Sequence, residues 1–244
     1  MAAQTPNSGT EDSSNAGSSP ESMNRQAWTV YGQFQLDRGF RTPDPVQIHW
    51  GTPGDAGPGT GVLGDIGGKR LLDLGCGGGH YAAHLARDHH AHVDAIDIAP
   101  TQYQRALLQY ADAPGVRFLL GDAVNHLHRC EPYDLVYSVH GLGYLNPHHS
   151  LPALHRGLHP GGRLVFSVLH TDLHRRLPSS SLEPRQLTVQ LKGLEPQDVR
   201  LWVLSPQLWE DVLADHGFTV EAIDLLHRQG DDPVVDQLIQ VRRA

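Results

Sequence analysis

Cysteine is scarce: two residues in 244 leave no disulfide framework and no zinc-ligand spacing. Cys76 stands inside a glycine-rich turn and Cys130 stands apart from it, so the reducing cytoplasm is the expected home. No run of roughly 18 apolar residues is present, so no membrane partner is expected. The first residues also lack the basic region and apolar core of a secretory signal. Positive charge is short as well. Nineteen Lys and Arg against 27 Asp and Glu give a formal charge of −8, which argues against a nucleic-acid partner. The 17 histidines fall in neither a metalloprotease spacing nor a frame of paired carboxylates, so no metal is expected. Residues 1–24 hold almost nothing apolar and read as a disordered tail, unable to offset the entropy of ordering.

What is present centres on Leu71-Leu72-Asp73-Leu74-Gly75-Cys76-Gly77-Gly78-Gly79-His80. The leucines read as a buried strand, and Gly75, Gly77 and Gly79 let the backbone turn and approach a ligand. The helix that follows, from Tyr81, would offer unpaired N–H groups and a positive dipole end. A dinucleotide-binding turn needs a third glycine where this chain has His80, so that pattern fails. A second strand, Ala91–Ile98, ends in Asp97, 18 residues beyond Gly79 and close to the ~20-residue offset at which an acid meets ribose hydroxyls. A third, Val116–Leu120, runs into Gly121-Asp122-Ala123.

Asp73 to Gly79, Asp97, Gly121-Asp122-Ala123, Tyr133-Asp134-Leu135-Val136 and Leu158-His159-Pro160-Gly161-Gly162 resemble, in order and spacing, the motifs of class I S-adenosylmethionine-dependent methyltransferases. The similarity covers about residues 69–170, and Leu204-Ser205-Pro206 through Gly217-Phe218 looks like the small-molecule branch. The resemblance implies that S-adenosyl-L-methionine is the cofactor. Asp97 would take the ribose hydroxyls, Ile98 would pack on adenine, and Asp122 and the Ala123 N–H would meet its ring. Gly75, Cys76 and Gly77 would pass under the methionine part, with Asp73 ordering the turn. Asp97 and Asp122 could each instead cap a helix.

The expected fold class is α/β: a doubly wound, seven-stranded, mostly parallel sheet of Rossmann-like kind. An N-terminal helical cap and loop would occupy residues 25–68, the core 69–244, and a small lid about 170–204, inserted after the fifth strand. Trp28, Tyr31 and Phe34 recur every third residue, so one helical face is aromatic. That face either packs on the core or closes over the site, with Tyr31 toward the methionine end. Ile48-His49-Trp50-Gly51 resembles an element that lies near the cofactor carboxylate in the same branch; His49 and Trp50 are cofactor candidates or a structural pair.

Methyl transfer to an alcohol, phenol or ammonium needs a base, and alignment is a large part of the rate. Ser138-Val139-His140-Gly141-Leu142-Gly143-Tyr144 follows the fourth strand, and His170 ends the fifth. His140, Tyr144 and His170 are the catalytic candidates, with Ser138 beside the cofactor. The expected partner is a small, aromatic or secondary-metabolite acceptor, and the expected assembly a monomer or homodimer. A nicotinamide-dependent oxidoreductase and a non-catalytic adenosylmethionine-binding module are the rival readings.

Overall fold

The computed structural model describes residues 19–51, 57–190, 193–228 and 230–244. Its main sheet has seven strands in the order β3-β2-β1-β4-β5-β9-β8. These are β1 Arg70–Leu74, β2 His92–Asp97, β3 Val116–Leu120, β4 Tyr133–Val139, β5 Leu158–Thr171, β8 Phe218–His227 and β9 Val235–Arg243. The first five are parallel, while β9 runs antiparallel to β5 and β8 antiparallel to β9. Chain order reverses between β1 and β4, the position at which open α/β sheets form their crevice. The seven-stranded, Rossmann-like sheet expected from the alternating pattern is the one found.

Helices α2 His80–His89, α3 Pro100–Tyr110, α4 Ala123–Leu127, α5 Pro147–Gly157 and α6 Pro206–Asp215 connect and cover the strands. One face buries Leu72, Val136, Leu164, Phe166, Trp209 and Leu213 among others. The other buries Leu71, Leu85, Val93, Tyr137, Val165 and Leu238. Both faces being covered explains why the central strands are buried almost end to end rather than at every second residue.

One expectation needs correction. Residues 20–24 are not tail, because α1 spans Pro20–Asp37. Ser19 caps it by accepting the Ser22 N–H, Pro20 occupies the first turn, and Glu21 favours the positive end of the dipole. Composition masked that start signal; residues 1–18 of the expected tail lie outside the described residues. Within the segment expected to be a lid the chain forms a hairpin, β6 Arg185–Val189 against β7 Gln197–Leu201. β5 begins at Leu158. Leu158 faces Tyr133, and pairing resumes at Leu135 with Arg163 across an irregularity that absorbs the Pro160-Gly161-Gly162 turn.

α1 closes the carboxyl edge of the sheet by three attachments. Gly32 packs so tightly on α3 that an added Cβ would lie 2.3 Å from Thr101 Oγ1. Thr101 in turn donates to the Thr29 carbonyl at 2.8 Å. Asn24, 4% exposed, donates to the Arg200 carbonyl and accepts the Arg200 N–H, both at 2.8 Å. Ala27 joins Leu187, Val199, Leu201 and Val203 in a small core that ties α1 to the lid hairpin. Gly32→Ala is expected to force α1 off α3 and to destabilise the chain by about 1–3 kcal/mol. Thermal unfolding reads the loss, and limited proteolysis should cut α1 first.

Candidate active site

A cavity of about 490 Å³ opens across the carboxyl ends of β1, β2, β3 and β4, beneath α1. That volume lies within the usual range of small-molecule sites, roughly 300–1,000 Å³. Its floor is the turn after β1. Gly75 has a φ of +78°, and an added Cβ there would lie 3.0 Å from the Gly141 Cα, so the position needs glycine twice over. The Gly75 and Cys76 N–H groups both donate to the Ile96 carbonyl, at 2.9 and 3.0 Å. α2 then begins with no side-chain cap, which leaves its first-turn donors for a ligand.

Asp97 locks the turn. Its Oδ2 accepts the Gly77 N–H at 2.9 Å and its Oδ1 the Ala99 N–H at 2.8 Å. Burial raises its pKa, opposed by those N–H groups. The helix cap of α3 is Ala99, so Asp97 is not the cap residue. Asp122 does cap α4, accepting the Asn125 N–H at 2.7 Å, and still lines the cavity. Ile98 and Ala123 complete this wall. Asp73 lines the cavity too; burial pushes its pKa up to about 7, and Asp97 adds to the rise while the Tyr137 hydroxyl opposes it.

The opposite wall comes from α1 and the loop after β4. Trp28 makes edge-to-face contacts with Tyr31 at 5.7 Å and with Tyr144 at 5.5 Å. Tyr144 is clamped by α1, since Asn24 donates to its carbonyl at 3.3 Å. Burial raises the Tyr144 pKa, which favours its neutral phenol form. His140 lines the cavity, as do His49 and His80. Burial, with Arg105 adding, lowers His80 to about 4 and keeps it uncharged.

Of the sequence candidates, the cavity gathers Tyr31, His49, Asp73, Gly75, Cys76, Gly77, Asp97, Ile98, Asp122, Ala123, His140 and Tyr144. Three stand outside it. Trp50 is 0% exposed and its indole N–H donates to the Gly59 carbonyl at 2.8 Å, which makes it a core residue. Ser138 is buried and structural: its hydroxyl donates to the Leu74 carbonyl at 2.7 Å and accepts the Leu142 N–H at 2.9 Å. His170 does not line the cavity; burial and the neighbouring His227 lower its pKa. The sequence reading passed over Glu21, His80, Tyr81 and Gln102, which also line the space. His80 carried a visible signal, as the first residue after the glycine turn.

A seven-stranded sheet with β9 reversed and a glycine-floored cavity at the strand tips is an architecture shared with solved methyltransferases. Residues 71–162 match the family model described as a methyltransferase domain. The chain is 30% identical over 159 residues to a malonyl-[acyl-carrier protein] O-methyltransferase of Paenibacillus sp. (strain JDR-2), covering 62% of this chain and 55% of that one. The chain spans about half the length of the curated relatives it matches. In fold it is similar to an S-adenosylmethionine-dependent methyltransferase from Mesorhizobium loti, with a TM-score of 0.55, 23% identity and coverage of 75% and 94%. It is also similar to the [4+2]-cyclase SpnF, with a TM-score of 0.63, 16% identity and coverage of 93% and 97%.

Two outcomes follow from the geometry. Asp97→Ala removes the acceptor of two backbone N–H groups and should weaken S-adenosylhomocysteine at least tenfold, about 1.4 kcal/mol, by calorimetry. Asp73 binds its proton more tightly folded, at about 7, than the usual 3.8 of the unfolded chain. Its contribution is therefore fully present below pH 3.8 and lost as pH rises through 7. Asp73→Asn should flatten that part of the stability profile, on the order of 2–4 kcal/mol between pH 4 and 8.

Proposed function

We propose that the chain is a methyltransferase that uses S-adenosyl-L-methionine to methylate a small acceptor of aromatic or secondary-metabolite type. The observation that carries this reading is the joining of two acids at the strand tips to a glycine turn that has no room for a side chain at Gly75 or Gly79. Asp97 and Asp122 would hold ribose and adenine, Ile98 and Ala123 would flank the ring, and Gly75 to Gly77 would pass beneath the methionine portion. Asp73, at a pKa of about 7, gives the cavity a carboxyl group that a nearby cation would ionise. The bound molecule supplies an electrophilic methyl group on a sulfonium. The protein's part is to align the acceptor, exclude water and take up a proton.

Oxygen is the acceptor atom that the relatives' names favour, among them the Paenibacillus enzyme and a ubiquinone biosynthesis O-methyltransferase of Aeromonas salmonicida. Trp28, Tyr31, Tyr144 and Leu145 would form the acceptor wall, with His140 as its base. No helix among the described residues is long and apolar enough to cross a membrane. We place the chain in the cytoplasm, as a monomer or homodimer, with no nucleic-acid partner.

Titration calorimetry should detect S-adenosylmethionine and S-adenosylhomocysteine and give no heat with NAD. A nicotinamide dinucleotide binding instead would overturn the reading. Labelled methyl donor offered with a panel of phenols should yield labelled product, which a binding module without chemistry would not. His140→Ala should keep S-adenosylhomocysteine affinity within about twofold and lower turnover roughly 10²–10⁴-fold.

A further inference from the structure

The end of α1 and the middle of α3 enclose a second, smaller cavity of about 170 Å³ beside the glycine turn. It shares no lining residue with the cavity at the strand tips. Its walls follow from how α1 stops. Gly39 takes a φ of +61°, and the Phe40 N–H returns to the Gln35 carbonyl at 3.0 Å. The chain then runs back along α3, where the Gln109 side chain holds both backbone groups of Thr42. Phe40 and Arg41 are thereby set in one wall with Arg105 and Leu108 of α3. Arg105 is partly buried, yet its guanidinium meets only neutral groups: Gln102 Oε1 at 2.6 Å, Thr42 Oγ1 at 3.3 Å and the Tyr31 ring, 5.7 Å from its centre. It forms no ion pair among the described residues. Burial lowers its pKa, opposed from a distance by Tyr31 and Asp97, and a cation so placed is costly until an anion joins it. Arg41 adds a second guanidinium with no partner among the described residues. Gln35 is 8% exposed, and its side chain forms no hydrogen bond among the described residues. No Asp or Glu lines this space, in a chain whose formal charge is −8. Phe40 and Leu108, 45% and 63% exposed, leave apolar surface in water beside the two cations.

We propose that this cavity binds a small organic carboxylate, with its anionic end on Arg105 and Arg41 and its hydrocarbon part against Leu36, Phe40 and Leu108. A planar guanidinium presents paired donors that match the two oxygens of a carboxylate. The three apolar side chains favour an organic acid over inorganic phosphate. The volume is close to that of a cavity of roughly 150 Å³ that holds benzene, so the ligand is of benzoate size. The site lies where the end of α1, α3 and the glycine turn meet: an added Cβ on Gly78 would lie 3.6 Å from Arg105 Nη2. Binding here goes beyond the methyl-transfer reading and does not depend on it, since it is measured with no nucleoside present.

The test is ¹H–¹⁵N NMR of the full chain titrated with sodium benzoate at constant ionic strength. Saturable shifts are expected at the backbone amides of Gly39, Thr42, Gly78 and Leu108, and none at Gly121 or Ala123 of the larger cavity. Benzamide has the same shape without the charge and should bind about tenfold more weakly or worse. Arg105→Gln should weaken benzoate by about tenfold or more. Leu108→Glu places an acid at an exposed position of the rim and should do the same, which covers the case in which Arg105→Gln does not fold. No saturable shift in the wild type, benzamide bound as well as benzoate, or benzoate bound undiminished by folded Arg105→Gln or by Leu108→Glu overturns the proposal. The remaining rival gives Arg105 to the carboxylate of the nucleoside's methionine part. Arg105→Gln would then weaken S-adenosylhomocysteine and spare 5′-methylthioadenosine, which lacks that carboxylate, and this result also overturns the proposal.

Discussion

The site depends on one carboxylate reaching back across a strand gap. Asp97 ends β2, yet both its oxygens accept backbone N–H groups, one from Gly77 in the turn after β1 and one from Ala99 at the start of α3. The Ile96 carbonyl takes two more donors from the same turn. The glycine turn is therefore held in place by its neighbour strand, and α2 leaves it in a set direction. Burying an acid this deeply costs free energy unless its oxygens are satisfied. Here backbone donors satisfy them, and each oxygen keeps a further lone pair for a ligand hydroxyl.

The roof depends on contacts between segments far apart in the chain. α1 meets α3 through Gly32 and Thr101, the hairpin through Asn24 and Arg200, and the loop after β4 through Trp28 and Tyr144. Asn24 pairs with both backbone groups of Arg200, as a neighbouring strand would, so the helix is attached to the hairpin edge in one register. None of these contacts joins α1 to β1 or β2. The aromatic wall is thus set by the cap and the floor by the sheet, and the cavity lies between two separately supported surfaces.

The strand-tip half of the cavity was legible because it is local. Gly75, Gly77, Asp97 and Asp122 stand at strand ends, where alternation of strand and helix predicts the edge of a parallel sheet. Trp50 and Ser138 were misplaced because a motif gives neighbourhood but not direction. Both lie near the cavity, and each spends its polar group on a backbone partner behind it. His170 failed for a related reason: it ends the right strand, but it sits beside His227 of β8 and off the cavity. The helix start at Ser19-Pro20-Glu21 was legible as a capping pattern, but the polar composition around it carried the reading instead.

The loop after β4 joins the two halves. An added Cβ on Gly141 would lie 2.4 Å from the Leu74 carbonyl and 3.2 Å from the Gly75 Cα. Ser138 bonds that same Leu74 carbonyl and accepts the Leu142 N–H just beyond the glycine. The chain at 140–141 is therefore pressed against the glycine turn and pinned on both sides. The left-handed backbone of His140 follows from that pinning, since the chain must bend sharply to leave β4 and pass so close to β1. One steric fact thus sets both the floor of the cavity and the bend from which His140 leaves β4.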